Sequence, residues 1–242
     1  MRDVRIYQPG DFQVGESVAL SEEAGRHVGV VLRMQPGEKL ILFPGDNREF
    51  VAEIVAVHKK KVSVLLQGEQ TVNREPPIAV HLAQAISKGD RMEWVVQKAV
   101  ELGVAQITPV ITERCMVKPD AARLAKKRLQ WQAIAVSACE QCGRNRIPTV
   151  HDPVAFSDFL HQPHAGTRFV LHPETGKNWR DYSQGFEEAV LFIGPEGGLT
   201  AQELEQSAAA GFAPLTLGAR VLRTETAAVV GLSVLQAVWG DL

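Results

Sequence analysis

Short apolar runs and turn residues alternate through the first seventy residues of the chain. The runs are rich in β-branched side chains and are separated by glycine, aspartate and asparagine. This pattern predicts short strands at 39–43, 50–57 and 62–66, as in a small barrel. The following polar residues end in two prolines, which disfavour both helix and sheet. We therefore place a linker at 71–77, after a first domain at 1–70.

One helix is predicted to interrupt the strands of this first domain. Ser21 is its expected N-cap, because a serine hydroxyl can accept a hydrogen bond from the first turn. Val28, Val31 and Leu32 then share one stripe of the helix and are expected to face the core. Gly37 is its expected end.

The pattern changes to alternating strands and helices in the second domain, at 78–242. This alternation predicts an α/β domain on a mainly parallel sheet. The predicted strands lie at 78–86, 106–111, 168–171, 189–193 and 214–217. The predicted helices begin at Asp90, Asp120, Thr200 and Glu225 and end before Gly103, Gly143, Gly211 and Gly240.

Two of these helices carry side chains typical of a capping box. Thr200 and Glu203 have the spacing in which each side chain bonds the other residue's backbone N–H. Asp90 and Glu93 form a similar pair. Both are predicted to fix the start of their helices.

The last helix, 225–239, is apolar on almost all sides. Only Ser233 and Gln236 are polar between Ala227 and Trp239. A helix that is apolar all round is expected to be buried all round, whereas one sheet face covers only one side. We therefore predict a homodimer through this helix, with a central core helix as the alternative.

Composition restricts the class of protein. The chain has 242 residues, of which 45% are hydrophobic and 22% charged, and this argues against disorder and low-complexity repeats. Its apolar runs fall short of a membrane span, and residues 1–5 lack the plan of a signal peptide. The three cysteines are predicted to be reduced thiols of a cytoplasmic protein. Cys139 and Cys142 have no second pair with which to hold zinc, so we predict packing roles and no metal.

Positive charge is concentrated in one stretch. Residues 113–146 hold eight basic and three acidic side chains, within a chain whose formal charge is −2. This favours a local anion-binding surface over a general polycation. A solvated helix face is the alternative.

Three loops that follow predicted strands are the candidate ligand site. The first loop is 172–176, the second 194–198 and the third 217–226. Ligands of parallel sheets lie at the carboxyl ends of the strands, where such loops meet. The second loop lacks the spacing of a dinucleotide or P-loop motif. In the third loop, arginines and hydroxyls at a helix start suit an anionic ligand, with a capped, salt-bridged helix start as the alternative.

These motifs resemble those of the SPOUT-class methyltransferases, and more closely the bacterial enzymes that methylate N3 of a uridine in 16S ribosomal RNA. The resemblance spans nearly the whole chain. It rests on the sequences at 193–198, 217–227, 98–103, 113–115, 140–144 and 27–33, and on Arg5. It implies a C-terminal trefoil-knotted domain, a smaller N-terminal PUA-like β-barrel domain and S-adenosylmethionine as the cofactor.

The resemblance also implies roles for individual residues. Arg223 and Arg144 are candidates for stabilising the uridine anion or binding phosphate, and Glu225 and Glu140 for orienting or accepting its proton. The expected cofactor-binding residues are Leu171, His172, Pro173, Ile193, Gly194, Pro195, Glu196, Gly197, Leu217, Gly218, Val221, Leu222, Thr224 and Thr226.

The basic stretch and the first domain are expected to bind 16S rRNA, in an assembled small subunit. The candidate contacts are Arg5, Arg33, Arg114, Lys118, Arg123, Lys126, Lys127, Arg128 and Arg146. The alternatives are a knotted methyltransferase of another RNA and a non-catalytic RNA-binding assembly factor.

Overall fold

The computed structural model describes residues 3–115, 120–174, 176–182 and 185–242. The chain divides into two compact units. Unit 1 comprises residues 1–75 and 139–147, and unit 2 comprises 76–138 and 148–242. The segment 139–147 thus differs from the sequence prediction, which placed it in the second domain. Its polar side chains bond residues of unit 1, for example Asn145 Nδ2 to Glu49 Oε2 at 2.9 Å.

Unit 1 is built on a five-stranded sheet. The strands are β1 (Arg5–Tyr7), β2 (Ser17–Ala19), β3 (Lys39–Phe43), β4 (Arg48–His58) and β5 (Lys61–Thr71), in the order β1-β3-β4-β5-β2. Only the β1–β3 pairing is parallel. The three predicted strands are present, and β5 runs on to Thr71, because its pairing with β4 continues as far as Arg48.

The predicted helix of unit 1 is short, and its stripe is partly wrong. It consists of α1 (Glu22–Arg26) and a π-helical turn at His27–Val31, and Ser21 Oγ accepts from Ala24 N at 3.2 Å as predicted. Val28 is fully buried, but Val31 and Leu32 are 58% and 41% exposed.

Two glycines explain why this helix turns its valine and leucine outward. A Cβ at Gly25 would lie 2.1 Å from Lys60 O, and one at Gly29 would lie 2.4 Å from Lys59 O. The glycine face therefore packs directly on the β4–β5 turn. The chain leaves the helix at Arg33, which has φ +55°, and not at Gly37.

Unit 2 is an α/β structure on a parallel sheet, as predicted. The strands of the sheet are β6 (Ala79–Ala85), β7 (Gln106–Ile111), β8 (Thr149–Val150), β9 (Val154–Ala155), β10 (Thr167–Leu171), β11 (Lys177–Asn178), β12 (Glu188–Ile193) and β13 (Ala213–Thr216). Their order is β11-β13-β10-β12-β6-β7-β8, and β9 also pairs with β7. The knot implied by the resemblance stays a prediction.

In the described part of the chain, five helices accompany the sheet. They are α2 (Arg91–Glu101), α3 (Ala121–Cys142), α4 (Phe156–His161), α5 (Ala201–Ala209) and α6 (Thr224–Trp239), and a 3₁₀ turn lies at Trp179–Asp181. The last residues of α3 belong to unit 1. Among the described residues, no helix combines the length and apolar character that crossing a membrane requires.

One of the two predicted capping boxes is present. Thr200 Oγ1 accepts from Glu203 N at 3.2 Å, and Glu203 Oε2 accepts from Thr200 N at 2.9 Å. Asp90 is the N-cap of α2 but makes no side-chain cap bond. Glu93 is instead drawn to α3, where it accepts from Lys127 Nζ at 3.1 Å and Gln130 Nε2 at 2.8 Å.

Within the single chain, helix α6 is buried on one side and half-buried on the other, as expected if one sheet face covers only one side. The homodimer predicted to cover the other side stays a prediction. A Cβ at Gly231 would lie 2.8 Å from Leu191 Cδ2, so the helix lies directly against β12. Leu232 and Leu235 are fully buried on that side. The other side, which includes Val230 and Val234, is half-buried, and Val238 is 39% exposed.

Unit 2 is expected to lose stability in mild acid through His81. Burial, with smaller contributions from His151 and His164, lowers the pKa of His81 to about 3. His81 therefore binds a proton near pH 6.5 in the unfolded chain but only near pH 3 in the folded chain. The free energy of unfolding keeps this contribution above pH 6.5 and loses it progressively as pH falls towards 3. The expected loss by pH 5 is about 2 kcal/mol.

Urea unfolding at pH 7 and pH 5 measures this loss. All four tryptophans lie in unit 2, so their fluorescence reports this unit. In the variant His81→Gln, the free energy of unfolding should change less between pH 7 and pH 5. The same change as in the native protein would show that another group is responsible.

Candidate functional site

A cavity of about 590 Å³ lies at the carboxyl ends of three neighbouring strands of unit 2. Leu171 ends β10, Ile193 ends β12 and Thr216 ends β13, and all three line the cavity. The three predicted loops follow these strands, so they meet here as expected for a parallel sheet. Val221, in the third loop, is 82% exposed and lines the cavity.

Most of the predicted cofactor residues line this cavity. They are Leu171, His172, Pro173, Ile193, Gly194, Pro195, Glu196, Leu217, Gly218, Val221, Leu222 and Thr224. Gly197 and Thr226 do not. The carbonyl of Gly197 accepts from Arg114 Nη1 at 2.9 Å, and Thr226 lies half-buried on α6.

Two glycines give the loops their paths. A Cβ at Gly176 would lie 2.4 Å from Leu215 C, so the first loop requires glycine to pass beside β13. Gly218 has φ +121°, a conformation that other residues rarely adopt. Apart from its two chain neighbours, no described residue has an atom within 4 Å of its Cβ position, so a side chain there would extend into free space beside the cavity.

The hydroxyl of Thr224 joins the start of α6 to the ends of two strands. It donates to Gly194 O at 2.7 Å and accepts from Gln84 Nε2 at 2.9 Å. Thr224 is 5% exposed. These bonds hold the second and third loops in one arrangement, which fixes the shape of the cavity.

One wall of the cavity is an ion-pair cluster. Arg91 Nη1 donates to Glu196 Oε1 at 2.7 Å, and Arg91 Nε lies 3.9 Å from Glu225 Oε1. Burial opposes ionisation of Glu196, but bonds from its own N–H, from Arg91 and from the Lys88 N–H hold its pKa below the usual value. Glu225 Oε2 is buried and has no hydrogen-bond partner among the described residues. The wall therefore contains one buried carboxylate oxygen without a partner among the described residues.

Sequence reasoning missed Arg91, Leu199, Thr216 and Ala227 of the cavity. Gly198 and Arg220 also line it; they lie in the predicted loops but were not among the expected cofactor-binding residues. Most of these adjoin the predicted motifs. Arg91 does not, but it follows the loop after β6, which reaches the same edge of the sheet. Ligands of parallel sheets lie at the carboxyl ends of the strands, and applying this strand-end rule to the loop after β6 would have found Arg91.

The four catalytic candidates are divided between the units. Arg223 and Glu225 line the cavity. Arg144 and Glu140 belong to unit 1 and do not. Arg144 is 4% exposed and forms an ion pair with Glu75. Glu140 accepts from Tyr7 N at 2.9 Å, and its burial raises its pKa.

Arg144 is buried and Glu140 is half-buried, and both bond other residues of unit 1. These contacts help to hold 139–147 within unit 1, and the catalytic roles of the two residues stay predictions. The short helix-end motif that contains them is compatible with either role, which is why sequence reasoning did not separate the two.

Among the RNA-binding candidates, Arg5 has a side chain that is 9% exposed and donates to Glu49 Oε2 at 2.8 Å, and its role stays a prediction. Such a guanidinium offers little surface to phosphate. Of the other RNA-binding candidates, the exposed ones are Arg33, Arg114, Arg123, Lys126 and Arg146. Lys127 pairs with Glu93 and Arg128 with Asp152, each at 3.1 Å. Lys118 lies outside the described residues.

The cysteine pair is at the end of α3. Cys139 is fully buried, and its Sγ donates to Arg146 O at 3.3 Å. Burial raises the pKa of Cys139 to about 12. Such a thiol stays protonated, which agrees with the predicted packing role.

Two family models match the chain. The model for an RNA methyltransferase domain covers residues 74–236, and the model for an RNA methyltransferase PUA domain covers 20–67. A ribosomal RNA small subunit methyltransferase E from Bacillus subtilis is 35% identical and covers 89% of this chain and 88% of its own. The chain belongs to the ribosomal RNA small subunit methyltransferase E family.

Further relatives support the membership. The methyltransferase E of Buchnera aphidicola (from Schizaphis graminum) is 34% identical and covers 98% of this chain and 97% of its own. Two solved structures match the whole of both chains. A methyltransferase from Legionella pneumophila with bound SAM is 55% identical with TM-score 0.98, and methyltransferase E from Neisseria gonorrhoeae bound to S-adenosylmethionine is 38% identical with TM-score 0.93.

Membership confirms the predicted family and the two-part organisation. The N-terminal part matches a PUA domain, and the C-terminal α/β part matches the methyltransferase domain. The chain is therefore a methyltransferase with an RNA substrate. The solved relatives named above carry S-adenosylmethionine, which makes the cavity at the strand ends of unit 2 the natural place to test for that cofactor here.

Proposed function

We propose that this chain transfers a methyl group from S-adenosylmethionine to N3 of one uridine in the 16S rRNA of the small ribosomal subunit. The observation that carries the proposal is the cavity formed by three loops at the carboxyl ends of β10, β12 and β13. The named small subunit methyltransferase E relatives support the rRNA substrate. We further propose that the enzyme acts in the cytoplasm.

The cavity fits S-adenosylmethionine in its chemistry. Leu171, Ile193 and Leu222 supply apolar surface for a flat heterocycle, and the bare backbone at Gly218 leaves room for a ligand. Glu196 and Glu225 supply negative charge for the sulfonium cation, and the arginines of the same lining, Arg91, Arg220 and Arg223, supply positive charge for the cofactor's carboxylate. When bound, this cofactor supplies an electrophilic methyl group. The predicted residues that line the cavity are the ones proposed to hold it.

The unpaired oxygen of Glu225 is the proposed proton acceptor. The uridine N3–H is weakly acidic, and its proton must leave as the N3–methyl bond forms. A carboxylate oxygen that is buried and lacks a donor is ready to accept it. Arg91, 3.9 Å from the other Glu225 oxygen, orients that carboxylate. Arg223, exposed beside the cavity, is proposed to stabilise negative charge on the uracil ring or to bind phosphate.

Substitution of Gly218 tests the cofactor assignment. In Gly218→Val the new side chain would occupy space beside the cavity, so we expect the Kd for S-adenosylmethionine to rise at least about tenfold, which isothermal titration calorimetry measures. Gly15→Val is the matched control, because Gly15 also has positive φ and no atom within 4 Å but lies in unit 1. Equal Kd values for the two variants would contradict the proposal that the cavity binds S-adenosylmethionine.

We also propose that the half-buried side of α6 forms a homodimer. This side includes Val230, Val234 and Val238 and carries no charged residue between Ala227 and Trp239. A second copy can cover it with the same apolar surface. The double variant Val230→Asp, Val234→Asp should be monomeric in analytical ultracentrifugation, with the native protein a dimer. A native protein that sediments as a monomer would end this proposal.

The substrate proposal is tested by methyl transfer to different RNAs. Purified protein and labelled S-adenosylmethionine are incubated with unmethylated small subunits, naked 16S rRNA or transfer RNA. We expect incorporation into the small subunit and less into naked 16S rRNA. Preferred incorporation into transfer RNA would support a methyltransferase of another RNA. Incorporation into none, with the cofactor unbound, would support a non-catalytic assembly factor.

A further inference from the structure

A second cavity, also of about 590 Å³, lies at the opposite edge of the unit 2 sheet. Its lining includes Ala79, Gln106 and Glu188, which begin β6, β7 and β12. His151, which follows β8, and His164, which follows α4, also line it. It shares no lining residue with the cavity at the carboxyl ends of the strands. The proposed methyl transfer makes no use of it.

Three imidazoles meet in this second cavity. The ring centre of His81 lies 5.8 Å from that of His151 and 6.3 Å from that of His164. In each ring, Nε2 lies 2.7 Å from one oxygen atom, within hydrogen-bond distance. The partners of His81, His151 and His164 are Thr108 Oγ1, Gln106 Oε1 and Phe159 O.

These bonds determine what the rings offer to a ligand. Gln106 Oε1 and Phe159 O only accept, so His151 and His164 carry hydrogen on Nε2, and their Nδ1 atoms are acceptors. Neither Nδ1 has a bond to a described residue, and neither is among the buried unpaired atoms of the described chain. Burial lowers the pKa of both rings, which keeps these lone pairs unprotonated at neutral pH.

The charged side chains that line the second cavity are acidic. Among the described residues of the lining they are Asp152 and Glu188. Glu188 is exposed, and Asp152 is 84% exposed although it pairs with Arg128 at 3.1 Å. The other nearby cation, Arg168, is held by backbone carbonyls, with bonds to Ala210 O at 2.8 Å and His164 O at 2.9 Å.

This chemistry favours a cation that carries N–H donors. Neutral ring nitrogens can accept its hydrogen bonds, and the two carboxylates offset its charge. An anion would meet like charge. The described residues include no group of three or more His, Cys, Asp or Glu side chains placed to hold a metal ion. We propose that the second cavity binds a small organic ammonium ion, with His151 and His164 as acceptors.

Calorimetric titration of the full chain with 1,4-diaminobutane tests the proposal. His164→Phe removes the ring nitrogens but keeps an aromatic ring against Phe159 and Phe212, whose centres lie 4.4 and 5.7 Å away. His161→Phe is the matched control, because His161 is exposed and does not line the cavity. 1-Butanol is the uncharged control ligand.

We expect the diamine to bind the native protein and His161→Phe with the same Kd, and His164→Phe at least about tenfold more weakly. 1-Butanol should not bind. Absence of binding to the native protein would overturn the proposal. So would an unchanged Kd in His164→Phe, because the diamine would then occupy another acidic site. Neither result affects the assignment of the methyl-transfer cavity, because the two cavities share no residue.

Discussion

Glu225→Gln is expected to slow methyl transfer by about 10²–10⁴-fold, the usual contribution of a positioned general base. Glutamine has the size of glutamate and keeps an oxygen that can face Arg91, 3.9 Å from the present carboxylate. It is not a useful base, so the uridine N3 proton would have no acceptor at the position of Oε2. Because Glu225 also contributes negative charge beside the proposed sulfonium, the Kd for S-adenosylmethionine should rise modestly. The main loss should therefore appear in kcat at saturating cofactor.

Single-turnover assays with labelled S-adenosylmethionine measure this effect. Glu205→Gln is the control, because Glu205 is an exposed carboxylate on α5 outside the cavity. The pH dependence adds a second readout, since a deprotonated uridine needs no base and raising the pH should partly rescue Glu225→Gln. Native activity in this variant at neutral pH would remove Glu225 from the mechanism.

Glu49→Leu is expected to destabilise unit 1 by about 3–5 kcal/mol, the cost of leaving a buried charge without its partner. Glu49 is 3% exposed and accepts from Arg5 at 2.8 Å, Asn145 at 2.9 Å and Gln70 at 2.6 Å. Leucine fills similar space, but it leaves the Arg5 guanidinium, itself nearly buried, without a counter-charge. The effect therefore comes from the arginine as much as from the lost carboxylate.

Hydrogen exchange of the β3, β4 and β5 amides measures the stability of unit 1, because the tryptophans report only unit 2. Glu69→Leu is the control, since Glu69 is exposed on β5, and its effect should stay within about 0.5 kcal/mol. Similar exchange rates in the two variants would show that the Glu49 cluster contributes little.

Acid provides an independent check of the same cluster. Burial opposes ionisation of Glu49, but hydrogen bonds from Arg5, Asn145 and Gln70 lower its pKa to about 2. The unfolded carboxyl binds its proton at higher pH, so this stability is present above about pH 4.5 and is lost as pH falls towards 2. Unit 2 weakens earlier, from pH 6.5 downward, through His81. The units should therefore respond to acid in different ranges.

Much of unit 2 could be predicted because each signal was local. Alternating apolar runs and helices imply a parallel sheet, and the strand-end rule then brings three distant loops together without any knowledge of the fold's details. The Thr200 and Glu203 capping box involves residues three positions apart, so its sequence spacing was sufficient. These predictions needed no information on which elements pack together.

The errors all depended on contacts between residues distant in sequence. Glu93 had the spacing of a capping box, but Lys127 and Gln130 of α3 offered it better partners. The pairing of Arg5 with Glu49 and of Arg144 with Glu75 was likewise not foreseen, because nothing local in the sequence shows it. Spacing alone does not reveal which charges the fold removes from water.

The small glycine contacts in unit 1 show the same limit. Glycine has a low intrinsic helix propensity, which says nothing about packing. In the fold, the lack of a side chain at Gly25 and Gly29 lets the helix contact the backbone of Lys59 and Lys60. That approach determines which of the neighbouring apolar residues face solvent. A periodic stripe predicts a buried face only when side chains, and not bare backbone, make the contact.

The chemical identity of the product is the most direct test of the proposed reaction. Unmethylated small subunits are treated with the purified protein and S-adenosylmethionine, and the nucleosides of the 16S rRNA are separated and identified by mass spectrometry against standards. We expect one new product, 3-methyluridine, formed by the native protein and greatly reduced with Glu225→Gln. Methylation at uridine C5, on ribose or on another base would contradict the proposed reaction.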